Sequence, residues 1–430
     1  TDLDDVRDRV VAELTGVALP ELPTEGGPYV LVAADLAPAD TALLSKETVT
    51  AFVIEGGGPT SHTAILARAM GVPAVVACPA ATGIPYGTRV LVDGTTGEVC
   101  PDPSDADITK LTSVNAARSE HRRTGGPGRT RDGHPVPLMA NIGGPDDLEA
   151  ARRAGAEGIG LYRTEFLFLG REHAPDRAEQ ERAYRAALEA FPDGKVIVRT
   201  LDAGSDKPLA FLPPAAREPN PALGERGLRL FERHPEVMAA QLDALAEVGG
   251  PCVMAPMVAT AGEAEWFADA CHTRGIIDAG VMIEIPAAAL RAESLVTVVD
   301  FVSIGTNDLA QYAFAADRES GALGTLQDPW QPALLDLVAM AATAASDNGK
   351  PCGVCGESAA DPAMACVLAG LGVSTLSMSA SALVAVRTAL GEHTLDQCQL
   401  AAQAARAAST AAHAHAAARS HLPGLATLGL

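Results

Sequence analysis

Beyond residue 128 the chain repeats one pattern eight times, a short apolar β-type run followed by a stretch with helical spacing. The runs occupy residues 136–142, 158–164, 196–201, 252–257, 281–285, 301–304, 352–354 and 375–378. Runs this short and this apolar suit strands buried on both faces, the condition of a parallel sheet. Eight of them alternating with helices over about 250 residues predict a closed (β/α)8 TIM-type barrel. Aromatic residues make up only 4% of the chain. The core must therefore be built from Ala, Val, Leu and Ile, which suits close helix-on-strand layers.

The 430 residues exceed one compact core, so a second domain is expected. Residues 1–27 read as a charged N-terminal helix and a Pro/Gly-rich linker. Residues 28–103 read as a small α/β domain with strands at 29–33, 49–54, 74–77 and 89–92, closed by turn residues over 94–103. Residues 104–128 form a helical linker ending in Thr124-Gly125-Gly126-Pro127-Gly128, the clearest hinge of the sequence. Residues 129–430 hold the barrel and a C-terminal helical tail. Within that tail the Ala-rich stretch 400–419, with His413 and His415, is expected to be a solvated helix rather than a metal site.

Net charge is −22 and the pI is near 4.8. Both argue against affinity for nucleic acid or an anionic membrane, which depends on an excess of Lys and Arg. Small molecules or basic protein surfaces are the expected partners. Eight scattered cysteines suit a reduced, cytoplasmic chain. Cys352 and Cys355 form a C-x-x-C, but in an extended segment an offset of three directs them to opposite faces. No apolar run reaches the roughly 18 residues of a membrane span, and no secretory leader is visible.

Within the small domain, residues 57–64 (GGPTSHTA) place His62 where a helix begins. The glycines break the chain, Thr60 or Ser61 can cap, and the helix-forming stretch that follows ends at Gly71 and Pro73. Exposed amides and the positive end of a helix dipole favour a dianion on His62. A histidine near a cap can instead serve only local hydrogen bonds.

In the barrel, seven of the eight runs end in polar groups: Asn141, Arg163 with Glu165, Arg199 with Asp202, Glu284, Asn307 with Asp308, Cys355 with Glu357, and Ser377 with Ser379. Only the run ending at Met257 does not. A barrel gathers function at the C-terminal ends of its strands, so these side chains are expected at one mouth. Arg163, Arg199, Arg226 and Arg318 offer planar forks for a carboxylate and a phosphate on one small substrate. Glu284 and Asp308 supply hard oxygens of the kind Mg²⁺ takes, or else pair with an arginine. Asn307 can donate to a phosphate. Cys355 is either a proton donor to a carbanion or enolate, or a structural thiol.

The sequence resembles the Enzyme I family of the bacterial phosphoenolpyruvate-dependent sugar phosphotransferase system. The matching segments are 57–69 (GGPTSHTAILARA), 158–168 (GIGLYRTEFLF), 199–202 (RTLD), 220–229 (NPALGERGLR), 282–287 (MIEIPA), 303–312 (SIGTNDLAQY), Asp317-Arg318 and Cys355-Gly356-Glu357. The resemblance implies transfer of a phosphoryl group from phosphoenolpyruvate to Nε2 of His62, releasing pyruvate. It implies that Arg163, Arg199, Asn307 and Arg318 hold phosphoenolpyruvate with Arg226 nearby, that Glu284 and Asp308 bind Mg²⁺, and that Cys355 protonates the departing enolate. It also implies a homodimer through the barrel, a swivelling histidine domain and delivery to a histidine-containing phosphocarrier protein. The match begins after the family's carrier-docking segment, which is expected to be absent, and Pro59 replaces an arginine common before the Thr-Ser-His motif.

Three rival readings remain. A fragment of a pyruvate phosphate dikinase or phosphoenolpyruvate synthase would share the histidine and the barrel, but no Walker-type phosphate loop is present. A metal-dependent lyase would leave the His62 unit unexplained. A non-catalytic regulator that senses phosphoenolpyruvate would make no pyruvate.

Overall fold

The computed structural model of the chain describes residues 14–15, 27–34, 36, 44, 47–56, 63, 67, 72–94, 97–121, 125–204, 209–212, 218–317 and 321–429. The chain divides into two compact units between residues 117 and 118.

In the first unit β1 (Tyr29–Ala33), β2 (Val49–Ile54) and β3 (Ala74–Val75) form a parallel sheet in that order. Leu31, Leu36, Val49, Phe52, Ile54 and Ala67 make its core. The third strand is shorter than expected, because Ala77 takes a left-handed backbone at φ 51°. Residues 94–103 are not all turn. Gly97, at φ 76°, lets the chain double back, and β5 (Glu98–Pro101) pairs antiparallel with β4 (Val90–Asp93). Helix α1 (Asp105–His121) starts where Ser104 and Asp107 cap each other: Asp107 Oδ2 accepts from Ser104 Oγ at 2.6 Å, and Asp107 N donates to Ser104 Oγ at 3.3 Å. Of the expected helix after His62, Thr63 and Ala67 are described, both helical and buried. His62 itself and residues 57–61 lie outside the described residues, as does most of 1–27.

The second unit is the expected barrel. Strands β6 (Leu138–Ile142), β7 (Ile159–Arg163), β8 (Val196–Arg199), β9 (Cys252–Ala255), β10 (Ala279–Ile283), β11 (Phe301–Ile304), β12 (Cys352–Val354) and β13 (Thr375–Met378) are all parallel and close into a ring, with β13 pairing β6. Leu161, Cys252, Met254, Met282, Phe301 and Cys355 cluster together with Ile197 packed against them. Gly280 is required there, since a Cβ would stand 2.5 Å from the Phe301 ring.

Helices cover the ring. Asp176 caps α2 (Arg177–Ala190), accepting from Glu179 N at 2.7 Å, and a Thr260–Glu263 capping box opens α4 (Ala261–His272), which follows α3 (Pro235–Val248). α5 (Thr306–Ala313) and α6 (Pro332–Asp347) come next. α7 (Pro362–Gly370), whose side chains are almost all buried, packs under the C-terminal helices α8 (Leu383–Glu392), α9 (Leu395–Arg406) and α10 (Ala411–Ser420), and α11 (Gly424–Leu428) packs against α8.

Two expectations are corrected here. The Ala-rich tail is not a solvated helix: Ala401, Ala402, Ala405, Ala411, Ala414 and Ala418 are buried, and His415 lies 4.7 Å from the Trp330 ring. Methyl side chains let neighbouring helices approach closely, so alanine here marks an interface. The segment expected to be a hinge is also anchored at its last residue. Gly128 is buried, its N–H donates to Glu157 Oε1 at 2.7 Å and its carbonyl accepts from Val136 N at 2.9 Å. No helix among the described residues is long and apolar enough to cross a membrane, and all eight cysteines are free thiols.

Candidate active site

The C-terminal strand ends carry the charged groups. β8 ends in Arg199, whose guanidinium bonds Glu165 Oε1 and lies 3.3 Å from Asp202 Oδ2. Arg226 returns on a later loop through a bridge between Gly204 and Arg226. Its Nε and Nη2 each meet an Asp202 oxygen at 2.9 Å, while Nη1 donates to Asp308 Oδ1 at 2.9 Å and to Tyr312 Oη at 3.3 Å. Arg226 was expected to present an open fork to a ligand. Instead it is 1% exposed, and both faces of the fork are held by the chain's own carboxylates.

Arg163 is different. Its side chain is 36% exposed and, among the described residues, its one ion-pair partner is Glu357 at 3.9 Å, which leaves the guanidinium available at the mouth. Asn307, at the start of α5, accepts from Glu357 N at 3.0 Å and so fixes the loop after β12. Asn141 donates to the Cys355 carbonyl at 3.0 Å and accepts from Ser377 Oγ at 2.6 Å. Arg318, like His62, lies outside the described residues.

Glu284 follows β10 and is 1% exposed. Oε1 accepts from Met257 N at 2.7 Å, whereas Oε2 has no hydrogen-bond partner among the described residues. Burial first, then the charges of Asp308 and Asp202, push its pKa up to about 7, against the opposing pull of Arg199. A buried carboxylate oxygen crowded by two more carboxylates and lacking a donor is a group a divalent cation would satisfy. No group of three or more His, Cys, Asp or Glu among the described residues is arranged to hold a metal ion by itself. Glu284 and Asp308 therefore suit an ion that takes its other oxygens from substrate and water, as Mg²⁺ does. Burial acts to lower the pKa of Arg199, but Glu165, Asp202 and Glu284 outweigh it and the net shift is upward, so the guanidinium is permanently charged.

Cys355 is 2% exposed. Burial raises the pKa of its thiol, the Ser303 hydroxyl, Arg199 and Arg163 pull it down, and Glu284 adds to the rise. The net upward shift keeps the proton on sulfur at neutral pH. Arg163, Arg199 and Glu284 thus all act electrostatically on the Cys355 thiol.

Met257 is the group that sequence reasoning missed. Its side chain ends the one apolar run, but its backbone, left-handed at φ 61°, aims the N–H that holds Glu284. Nothing in the letter Met announces that conformation. Thr306, the first residue of α5, and Ser358, joined at 2.8 Å, were likewise unread.

The family described as "PEP-utilising enzyme, PEP-binding domain" matches residues 117–395, and "PEP-utilising enzyme, mobile domain" matches residues 26–97. The chain is 59% identical to the phosphoenolpyruvate-protein phosphotransferase of Streptomyces coelicolor (strain ATCC BAA-471 / A3(2) / M145), over 98% of this chain and 77% of that protein. It is 40% identical to the protein of that name from Bacillus subtilis (strain 168), over 91% and 72%. The Staphylococcus carnosus (strain TM300) protein of the same name is 42% identical over 90% and 71%.

Proposed function

This chain belongs to the phosphoenolpyruvate-protein phosphotransferase family of PEP-utilising enzymes, and on that premise we propose that it moves the phosphoryl group of phosphoenolpyruvate to His62 and releases pyruvate. The observation that carries the reading is the buried Oε2 of Glu284, without a hydrogen-bond partner among the described residues, in the company of Asp308, Arg199 and Cys355.

Phosphoryl transfer asks a protein for alignment and charge neutralisation more than for covalent help. Arg163, Arg199, Asn307 and Arg318 bind the substrate's carboxylate and phosphate. Arg226, gripped by Asp202, holds Asp308 in place. Mg²⁺ bound between Glu284 and Asp308 would neutralise charge on the phosphate oxygens. Once phosphorus leaves, the enolate of pyruvate takes the proton of Cys355, which burial has kept on sulfur. Support for His62 as acceptor comes from its place inside the segment that matches the mobile domain.

The reading includes a homodimer through the barrel, a swivelling His62 domain and a histidine-containing phosphocarrier protein as the eventual acceptor in a sugar phosphotransferase system. Eight free cysteines support a cytoplasmic setting.

The test is transfer of label from radioactive phosphoenolpyruvate with Mg²⁺ to the chain, beside His62→Ala, with the phosphocarrier protein added second. Acid-labile label that disappears with His62 and is matched by pyruvate is the expected result. A wild-type chain that takes up no label would overturn catalysis and favour a sensor of phosphoenolpyruvate.

A further inference from the structure

Cys355 is the first residue after β12, and its backbone is held from two sides. Its N–H donates to the Ile304 carbonyl of β11 at 3.1 Å. Its carbonyl accepts from Asn141 Nδ2 at 3.0 Å, and Asn141 stands on β6, beyond the intervening β13. Strand ladders join only adjacent strands, so a bond that passes over a strand must come from a side chain. Two residues further on, Glu357 N donates to Asn307 Oδ1 at 3.0 Å.

Asn141 is itself aimed. A backbone carbonyl can only accept, so the amide must turn its NH2 to Cys355 and its oxygen elsewhere. That oxygen receives the Ser377 hydroxyl at 2.6 Å. Ser377, on β13 and 4% exposed, needs the glycine it faces, since a Cβ at Gly160 would collide with its Oγ. Hydrogen bonds thus run in one sense from Ser377 through Asn141 to Cys355, and the reaction described above gives neither Asn141 nor Ser377 a part.

The thiol is loosely kept by comparison. Its Sγ lies 3.7 Å from the Ile304 carbonyl, a weak contact for a weak donor. With the backbone of Cys355 fixed, the proton's remaining freedom is rotation of one short side chain between staggered positions. Carbon has no lone pair to draw a donor into line, so an enolate carbon is protonated on the face to which the acid is already directed.

We propose that Asn141, turned by Ser377, is a positioning residue that directs the Cys355 thiol to one face of the enolate. The proposal rests on Cys355 being the acid. In that step the π electron pair of the enolate forms the new C–H bond and its C–O bond becomes the carbonyl. The S–H pair stays on sulfur, and the thiolate takes a proton from water once pyruvate has left. Without Asn141 the Cys355 backbone can turn, and the enolate departs to be protonated in solution from either side.

The experiment uses the whole chain with Mg²⁺, in excess over phosphoenolpyruvate tritiated at one of its two C3 positions, in deuterated water. Each pyruvate methyl then carries hydrogen, deuterium and tritium, and its handedness, read after immediate trapping as lactate, records the face protonated. The wild type is expected to give one configuration. Asn141→Leu, and Asn141→Asp, which keeps the size but loses the N–H donor, are expected to give an equal mixture while phosphoryl label still reaches His62. Ser377→Ala, which leaves the amide in place but unguided, is expected to fall between. Handedness is blind to a general loss of stability or rate, so one configuration from an Asn141 variant, however slowly made, would overturn the proposal. If neither Asn141 variant folds, wild-type handedness in Ser377→Ala would do so. Cys355→Ala tests the reading beneath it separately: a single configuration surviving there means that another group is the acid.

Discussion

Arg226 is among the largest wholly buried side chains of the protein, and it is a cation. A guanidinium survives there because its donors meet Asp202 and Asp308, and removing it would strand two buried carboxylates. Arg226→Met is expected to cost about 3–5 kcal/mol of unfolding free energy in a urea titration. Arg163→Met, at an exposed pair, should cost less than about 1 kcal/mol while raising KM for phosphoenolpyruvate. Equal urea midpoints for the wild type and Arg226→Met would show the ion cluster to be dispensable. The sequence marked Arg226 as a functional arginine but could not show its partners, which lie 24 residues before it and 82 after. Pairing over such separations is decided by the closed ring and leaves no local pattern.

At the scale of elements, all eight barrel strands were legible, because burial on both faces makes them short continuous apolar runs. Their ends were less so. The run read as 281–285 is Ala279–Ile283 in the fold, since Ala279 and Gly280 carry little hydrophobic signal and yet pair with β9 and β11. The C-terminal helices were misjudged because methyl groups look neutral in sequence and only close packing reveals them. A histidine clasps those helices together: His393, fully buried after α8, donates from Nδ1 to Ala389 O at 2.7 Å and accepts at Nε2 from Gly424 N at 3.1 Å. Burial lowers its pKa below the usual 6.5. The unfolded chain therefore binds the proton first as pH falls, and stability complete above about 6.5 is lost below it. Urea midpoints at pH 7.5 and pH 5.5 should differ more in the wild type than in His393→Gln; equal differences would remove His393 as the cause.

For the whole molecule, length and the eightfold pattern sufficed to foresee a barrel beside a smaller α/β unit, because each has its own run of strands and its own core. Calorimetry of the intact chain is accordingly expected to show two transitions, with phosphoenolpyruvate and Mg²⁺ raising only the one that belongs to the barrel. A single transition that rises as a whole would mean that the two units unfold together. One joint of the barrel also sets a schedule. The ring shuts only when β13 meets β6, a contact in which Ser377 reaches back 236 residues to Asn141. A ribosome delivers the two partners of that seam at opposite ends of its work on the barrel, so for most of synthesis the nascent sheet has two open edges, and whatever shelters them decides how many chains arrive intact.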